Sequence, residues 1–131
     1  MKTNRTLDIC IDFDGTCVTH FFPFIGKDIG AIPVLKKLIA NGHNLILFTM
    51  RSDTFLTEAV QYLKEHGVVL YGINKNPTQS EWTNSPKAYG QIYIDDAALG
   101  CPLRIDTRLS DRPFVDWVEM EKLLEERNII R

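Results

Sequence analysis

Residues 7–13 alternate in character, with Leu7, Ile9, Ile11 and Phe13 on one face and Asp8, Cys10 and Asp12 on the other. That two-residue period predicts a strand, which the Asp14-Gly15 pair ends. From Ala31, the positions Ile32, Leu35, Leu38 and Ile39 recur at helical spacing, with Pro33 tolerated in the first turn and Asn41-Gly42 as the stop. Residues 44–49 contain the run Leu45-Ile46-Leu47-Phe48, which has no polar face and predicts a strand buried on both sides. A second helix is expected from Asp53, where Leu56, Ala59, Val60 and Leu63 line one side and His66-Gly67 stops it.

Residues 68–73 read as a third strand and residues 91–94 as a fourth, ending at Asp95-Asp96. Between them, residues 74–86 carry two prolines among mostly polar side chains and predict a loop or a short irregular helix. Residues 103–105 suggest a short edge strand, and residues 113–126 a last helix capped by Asp111. Strands that alternate with helices imply parallel βαβ units with right-handed crossovers. The expectation is an α/β, three-layer, Rossmann-like domain with a parallel sheet of about five strands. Residues 1–131 form a single domain in this reading, because the length leaves no room for a second.

Composition changes this picture little: 44% hydrophobic and 24% charged residues are ordinary for a globular chain. A formal net charge of -2 gives no broad basic field, so there is no strong nucleic-acid signal and none for acidic membranes. Cys10, Cys17 and Cys101 are an odd number without C-x-x-C spacing, which argues against a disulfide framework or a structural zinc site. No run approaches the roughly 20 apolar residues that cross a bilayer. The apolar stretch after the N-terminal basic residues is broken by Asp8 and Asp12, too short for a signal peptide, so a cytoplasmic location is expected.

The candidate chemistry lies where open parallel sheets bind ligands, at the carboxyl ends of strands. Asp12, Asp14, Thr49, Asp95 and Asp96 all fall there. Four carboxylates on one rim repel one another without a cation, and an all-oxygen set suits Mg2+ rather than zinc. In this ordered form the chain resembles the haloacid dehalogenase superfamily. Residues 9–16, Ile-Cys-Ile-Asp-Phe-Asp-Gly-Thr, resemble that family's first motif, a hydrophobic strand followed by D-x-D-G-T. Leu45-Ile46-Leu47-Phe48-Thr49 resembles the second, Lys87 the lysine of the third, and Ile92-Tyr93-Ile94-Asp95-Asp96 the acidic pair of the fourth.

The resemblance implies a magnesium-dependent phosphatase that hydrolyses a phosphate monoester through an aspartyl-phosphate on Asp12. It implies metal held by Asp12, Asp14 through its backbone carbonyl, and Asp95 or Asp96, with Thr49 and Lys87 on the phosphoryl oxygens. Asp14 then serves as general acid and base. Lys75 rivals Lys87 for the lysine role. Many relatives insert a cap domain, for which residues 17–30 and 71–86 leave no room, so a capless member is expected. An open site admits a bulky phosphorylated substrate such as a phosphoprotein, a nucleic-acid end or a lipid-linked phosphate, or is closed by another subunit of a homo-oligomer.

Blander readings compete for several residues. Arg51, at a helix entrance, is more often solvated than a substrate contact, and Cys17 reads as a packed thiol. His20, His43 and His66 show no metal-ligand spacing and receive no role, and Phe21, Phe22 and Phe24 read as loop packing before they read as a substrate platform. A calcium EF-hand fails at Cys17, where glycine is required. A non-hydrolytic phosphate-binding or phospho-acceptor module is the alternative function. Receiver domains, which it would resemble, place the acidic pair on the first strand and the acceptor on the third, the reverse of this order.

Overall fold

The computed structural model describes residues 5–131. Four short strands, β1 (Asp8–Ile11), β2 (Asn44–Leu47), β3 (Gly72–Ile73) and β4 (Ile92–Ile94), pair in the order β3-β2-β1-β4, all parallel. Ile9 sits between Leu45 and Ile92, and Ile11 between Leu47 and Ile94, so the central ladder is apolar on its inner face. The strands β1 and β2 are linked by helix α1 (Ala31–Ala40), and β2 and β3 by α2 (Asp53–Glu65). The fold is α/β and Rossmann-like in arrangement.

One core joins Ile9, Ile11 and Leu47 of the sheet to Leu35 and Leu38 of α1, Ala59 and Leu63 of α2, and Trp117 and Leu124 of α3 (Trp117–Glu126). All three helices therefore share one face of the sheet. The other face carries a smaller cluster, Cys10, Ile46 and Ala88 with Phe48. It is covered not by a helix but by the 74–91 segment, which contains one 3-10 turn, Gln79–Glu81. The chain there crosses from one edge of the sheet to the other, and right-handed connection puts it opposite α1 and α2. Because Leu45, Ile46 and Leu47 are covered on both sides, β2 has no exposed face, as its unbroken apolar run requires.

Four expectations need correction. The parallel sheet has four strands, not about five: Leu103–Arg104 (β5) instead pairs antiparallel with Phe114–Val115 (β6) in a separate ribbon. The last helix starts at Trp117 rather than residue 113, since Phe114 and Val115 are spent as fully buried strand residues. Its cap is Asp116, whose Oδ1 accepts from the amides of Val118 and Glu119 at 3.1 Å, not Asp111. The third strand is also shorter than residues 68–73, because the Val68 amide turns back to Leu63 O and closes α2. Among the described residues no helix is long and apolar enough to cross a membrane.

Candidate functional site

From β1 the chain moves to β2 on one side, while β4 lies on the other, so the connections leaving β1 and β4 diverge and open a crevice at their carboxyl ends. The Asp12 amide still belongs to the ladder, donating to Ile94 O at 3.0 Å. Beyond it the chain turns tightly: the amides of Thr16 and Cys17 both donate to Phe13 O, and Gly15 takes φ 80. A Cβ at Gly15 would lie 2.0 Å from His20 Nε2 and 2.5 Å from Asp96 Oδ2, so glycine is required for space as well as for backbone conformation.

Asp12, Asp95 and Asp96 each offer a carboxylate oxygen to a group within 4.8 Å of one another. The buried Thr16 ties them together. Its hydroxyl accepts from the Asp96 amide at 3.0 Å and donates to Asp12 Oδ2 at 2.9 Å, with Asp96 Oδ1 at 3.3 Å as the other acceptor in reach. His20 Nε2 meets Asp96 Oδ2 at 2.7 Å. Asp96 thus has Oδ2 engaged by His20, and Asp95 has Oδ1 held by the Ala97 amide at 2.8 Å. Burial, and next the charge of Asp95, push the Asp12 carboxyl up from its ordinary 3.8 to about 7. Three converging carboxylates, one of them hard to ionise alone, fit a hard divalent cation with oxygen preference, which is the donor chemistry of Mg2+.

The Asp14 carboxylate lies outside this group and faces Arg51. Arg51 Nε and Nη2 donate to Asp14 Oδ2 and Oδ1, both at 2.8 Å, in a two-pronged pair. Its remaining donors go to Phe24 O, Pro23 O and Phe55 O. All five N–H groups are therefore taken, and the guanidinium, 3% exposed, lies 5.1 Å from the ring centres of both Phe13 and Phe22. Arg51 is neither solvated nor free for a ligand. It clamps Asp14 to the 21–24 turn and to the start of α2.

Thr49 stands at the end of β2 with its amide donating to Asn74 Oδ1 at 2.7 Å and its hydroxyl accepting from the Arg51 amide at 3.1 Å, which leaves the hydroxyl proton to donate elsewhere. A cavity of about 550 Å3 opens here, lined by Asp12, Asp14, Thr49, Asp95 and Asp96 together with His20, Phe22 and Arg112. Five of the six residues singled out from the sequence are thus brought together. Lys87 is not. It borders a different depression with Gln79, Trp82 and Tyr93, its Nζ 5.2 Å from the Tyr93 ring centre, and its rival Lys75 lines neither.

Thr16, His20 and Arg112 carry no expected role, yet all three border the acidic group or its cavity. Thr16 lies four residues after Asp12 across a glycine turn, a spacing that folds its hydroxyl back; His20 and Arg112 arrive through loops and leave no periodic signal. The Cys10 and Cys17 thiols are buried and held in the protonated form: burial, then the Asp8 charge, push Cys10 up to about 11, and burial raises Cys17 as well.

No protein-family model and no curated protein matches this sequence. A solved structure, that of a conserved protein coded by a locus from Bacteroides thetaiotaomicron, is similar over 94% of this chain and 93% of its own, with 31% identity and a TM-score of 0.77.

Proposed function

The chain belongs to the same family as the conserved Bacteroides thetaiotaomicron protein, and from the chemistry of its acidic crevice we propose that it is a magnesium-dependent, capless phosphatase of the haloacid dehalogenase type. The observation that carries this reading is the convergence of Asp12, Asp95 and Asp96 at the β1/β4 switch point, joined by the Thr16 hydroxyl. A phosphate monoester resists attack because its own charge repels nucleophiles, and uncatalysed hydrolysis is slow enough that enzymes accelerate it by up to about 10²¹. Bound Mg2+ supplies neutralisation of that charge. Asp12, Asp95 and Asp96 would hold it, each offering one carboxylate oxygen.

An Asp12 oxygen attacks phosphorus in line with the leaving oxygen, forming the acyl phosphate and releasing the alcohol; water then attacks phosphorus and regenerates the carboxylate. Thr49 donates its hydroxyl proton to a phosphoryl oxygen. Asp14 protonates the leaving oxygen and later takes a proton from water. Both of its oxygens accept from Arg51, so one of these contacts must open before the carboxyl carries a transferable proton. Lys87 would reach a phosphoryl group only by leaving Tyr93, and it is the residue this geometry supports least.

The Arg51 clamp favours a second reading, a non-hydrolytic phospho-acceptor, in which Asp12 is phosphorylated but Asp14 is held away from the water step. One experiment separates them: the protein is incubated with magnesium and a panel of phosphate esters, phosphate release is followed, and intact mass is recorded. The phosphatase reading expects metal-dependent release that Asp12→Asn abolishes. A long-lived phosphorylated chain with no release would replace it by the acceptor, and neither signal over a broad panel would sink both.

A further inference from the structure

Beside the acidic cavity lies a second one of about 500 Å3, between the 19–27 turn and the 107–112 loop. The two share His20 and Arg112 as a common rim. Their charges are opposite. The first is faced by four aspartates; the second by Lys27, Arg108 and Arg112 against a single acid, Asp111, although the whole chain carries a net -2. Arg108 is largely committed, donating through Nε and Nη2 to the two oxygens of Asp106. The charged groups of Lys27 and Arg112 make no ion pair or side-chain hydrogen bond among the described residues.

Isolated surface cations are ordinary. These two differ in lying, unpaired, around a concave space that adjoins the acidic crevice. Thr19 fixes Lys27 from both sides, its amide donating to Lys27 O at 3.0 Å and its hydroxyl accepting from the Lys27 amide at 2.8 Å. The Arg112 amide donates to Ser110 Oγ at 3.1 Å, and the amides of Leu109 and Ser110 donate to Asp106 O, so the loop that delivers the guanidinium is internally bonded. These bonds order the backbone that carries the two cations at the rim of the cavity, while the ammonium and guanidinium keep their own freedom.

We propose that this basic cavity is a subsite for a second anionic group of the substrate, a phosphate or carboxylate on the same small molecule as the phosphoester, bound by Lys27 and Arg112. The inference rests on the phosphatase reading for which end of the molecule reacts. Guanidinium and ammonium groups are suited to both anions. The occupant is a small molecule rather than a polymer because each cavity is of ordinary ligand size and the chain has no extended basic field to follow a nucleic-acid backbone.

A chemical ruler tests it without requiring turnover. Alkane α,ω-bisphosphonates of increasing length and the matching alkyl monophosphonates, none of which can be hydrolysed as esters, are titrated by calorimetry into the full chain with magnesium. At one favoured length the bisphosphonate is expected to bind at least tenfold more tightly than its monophosphonate. In Lys27→Ala and in Arg112→Ala that advantage should fall to threefold or less, with melting temperature recorded to verify folding. No length preferring the bisphosphonate, or a preference that survives both substitutions, overturns the subsite. Ester hydrolysis is scored separately: loss of the bisphosphonate preference with phosphate release intact removes only the subsite, and the converse removes only the phosphatase.

Discussion

Asp12 is placed where its charge costs the most. Burial and Asp95 raise its carboxyl to about 7 in the metal-free fold, against 3.8 in an unfolded chain. A raised acid holds a proton in the folded state that the unfolded state has released, so its contribution to stability falls as pH rises from about 4 to about 7. Metal-free protein should therefore melt lower at pH 7.5 than at pH 5, and Asp12→Asn should remove most of that difference. If the three carboxylates hold magnesium as proposed, the ion should restore several degrees at pH 7.5 in the wild type but not in Asp12→Asn. Equal pH slopes in the two proteins by calorimetry would contradict the assignment. Arg51 makes the complementary case. Truncating it to Ala leaves Asp14 without its partner and removes the donor to the Pro23 and Phe24 carbonyls, and about 3 kcal/mol of stability should be lost in urea titration. Arg51→Lys keeps the charge but not the fork, and should recover less than half of that loss. The aspartates and Thr49 were legible because the strand period puts them at strand ends. The burial of Arg51 was not, because it depends on the 21–24 turn and α2 folding over it from distant positions.

At the scale of elements, α1, α2 and the central strands follow from local pattern alone. Each pairs an apolar stripe or run with a stop, Asn41-Gly42 or His66-Gly67, and the register of β1 against β2 and β4 then brings Ile9 and Ile11 into line with like neighbours. The 74–91 segment resists such reading because side-chain amides rather than apolar spacing hold it. Asn76, 4% exposed, donates to Asp8 Oδ2 at 3.0 Å and to Tyr89 O at 3.1 Å and accepts from Thr78. Gln79 bonds Lys87 O and the Tyr89 amide. Asn76→Ala should accordingly cost about 2 kcal/mol in denaturant unfolding, more than its size suggests, since two part-buried acceptors lose their donor. Asn76→Asp should cost at least as much, because a carboxylate cannot donate and would stand beside Asp8. The sequence suggests a short strand at residues 103–105 but not its partner β6 or their ribbon, for a related reason: two residues are too short to show a period, and Asp116 rather than Asp111 is revealed as the cap only once Phe114 and Val115 are seen to be strand.

Across the whole molecule the two faces of the sheet differ in how they are closed, and that asymmetry sets Lys87 apart from the acidic crevice. The helical face buries a continuous core, so amides of β1 and β2 should exchange with solvent only through global unfolding. The opposite face rests on the small Cys10, Ile46 and Ala88 cluster and the amide-bonded 74–91 cover, which should open at lower free energy. Lys87 sits in that cover, beside Tyr93, while the acidic crevice lies at the strand ends. Hydrogen exchange with magnesium and beryllofluoride, a phosphoryl mimic, can therefore read the site and the cover separately. Added protection is expected in residues 12–20 and 95–97, where Thr16 and His20 couple the two acidic turns. Residues 83–90 should remain as in the free protein, because the Lys87 ammonium does not line the cavity. Protection appearing there in wild type and vanishing in Lys87→Ala would instead mean that the cover closes on the phosphoryl group and that Lys87 is its ligand.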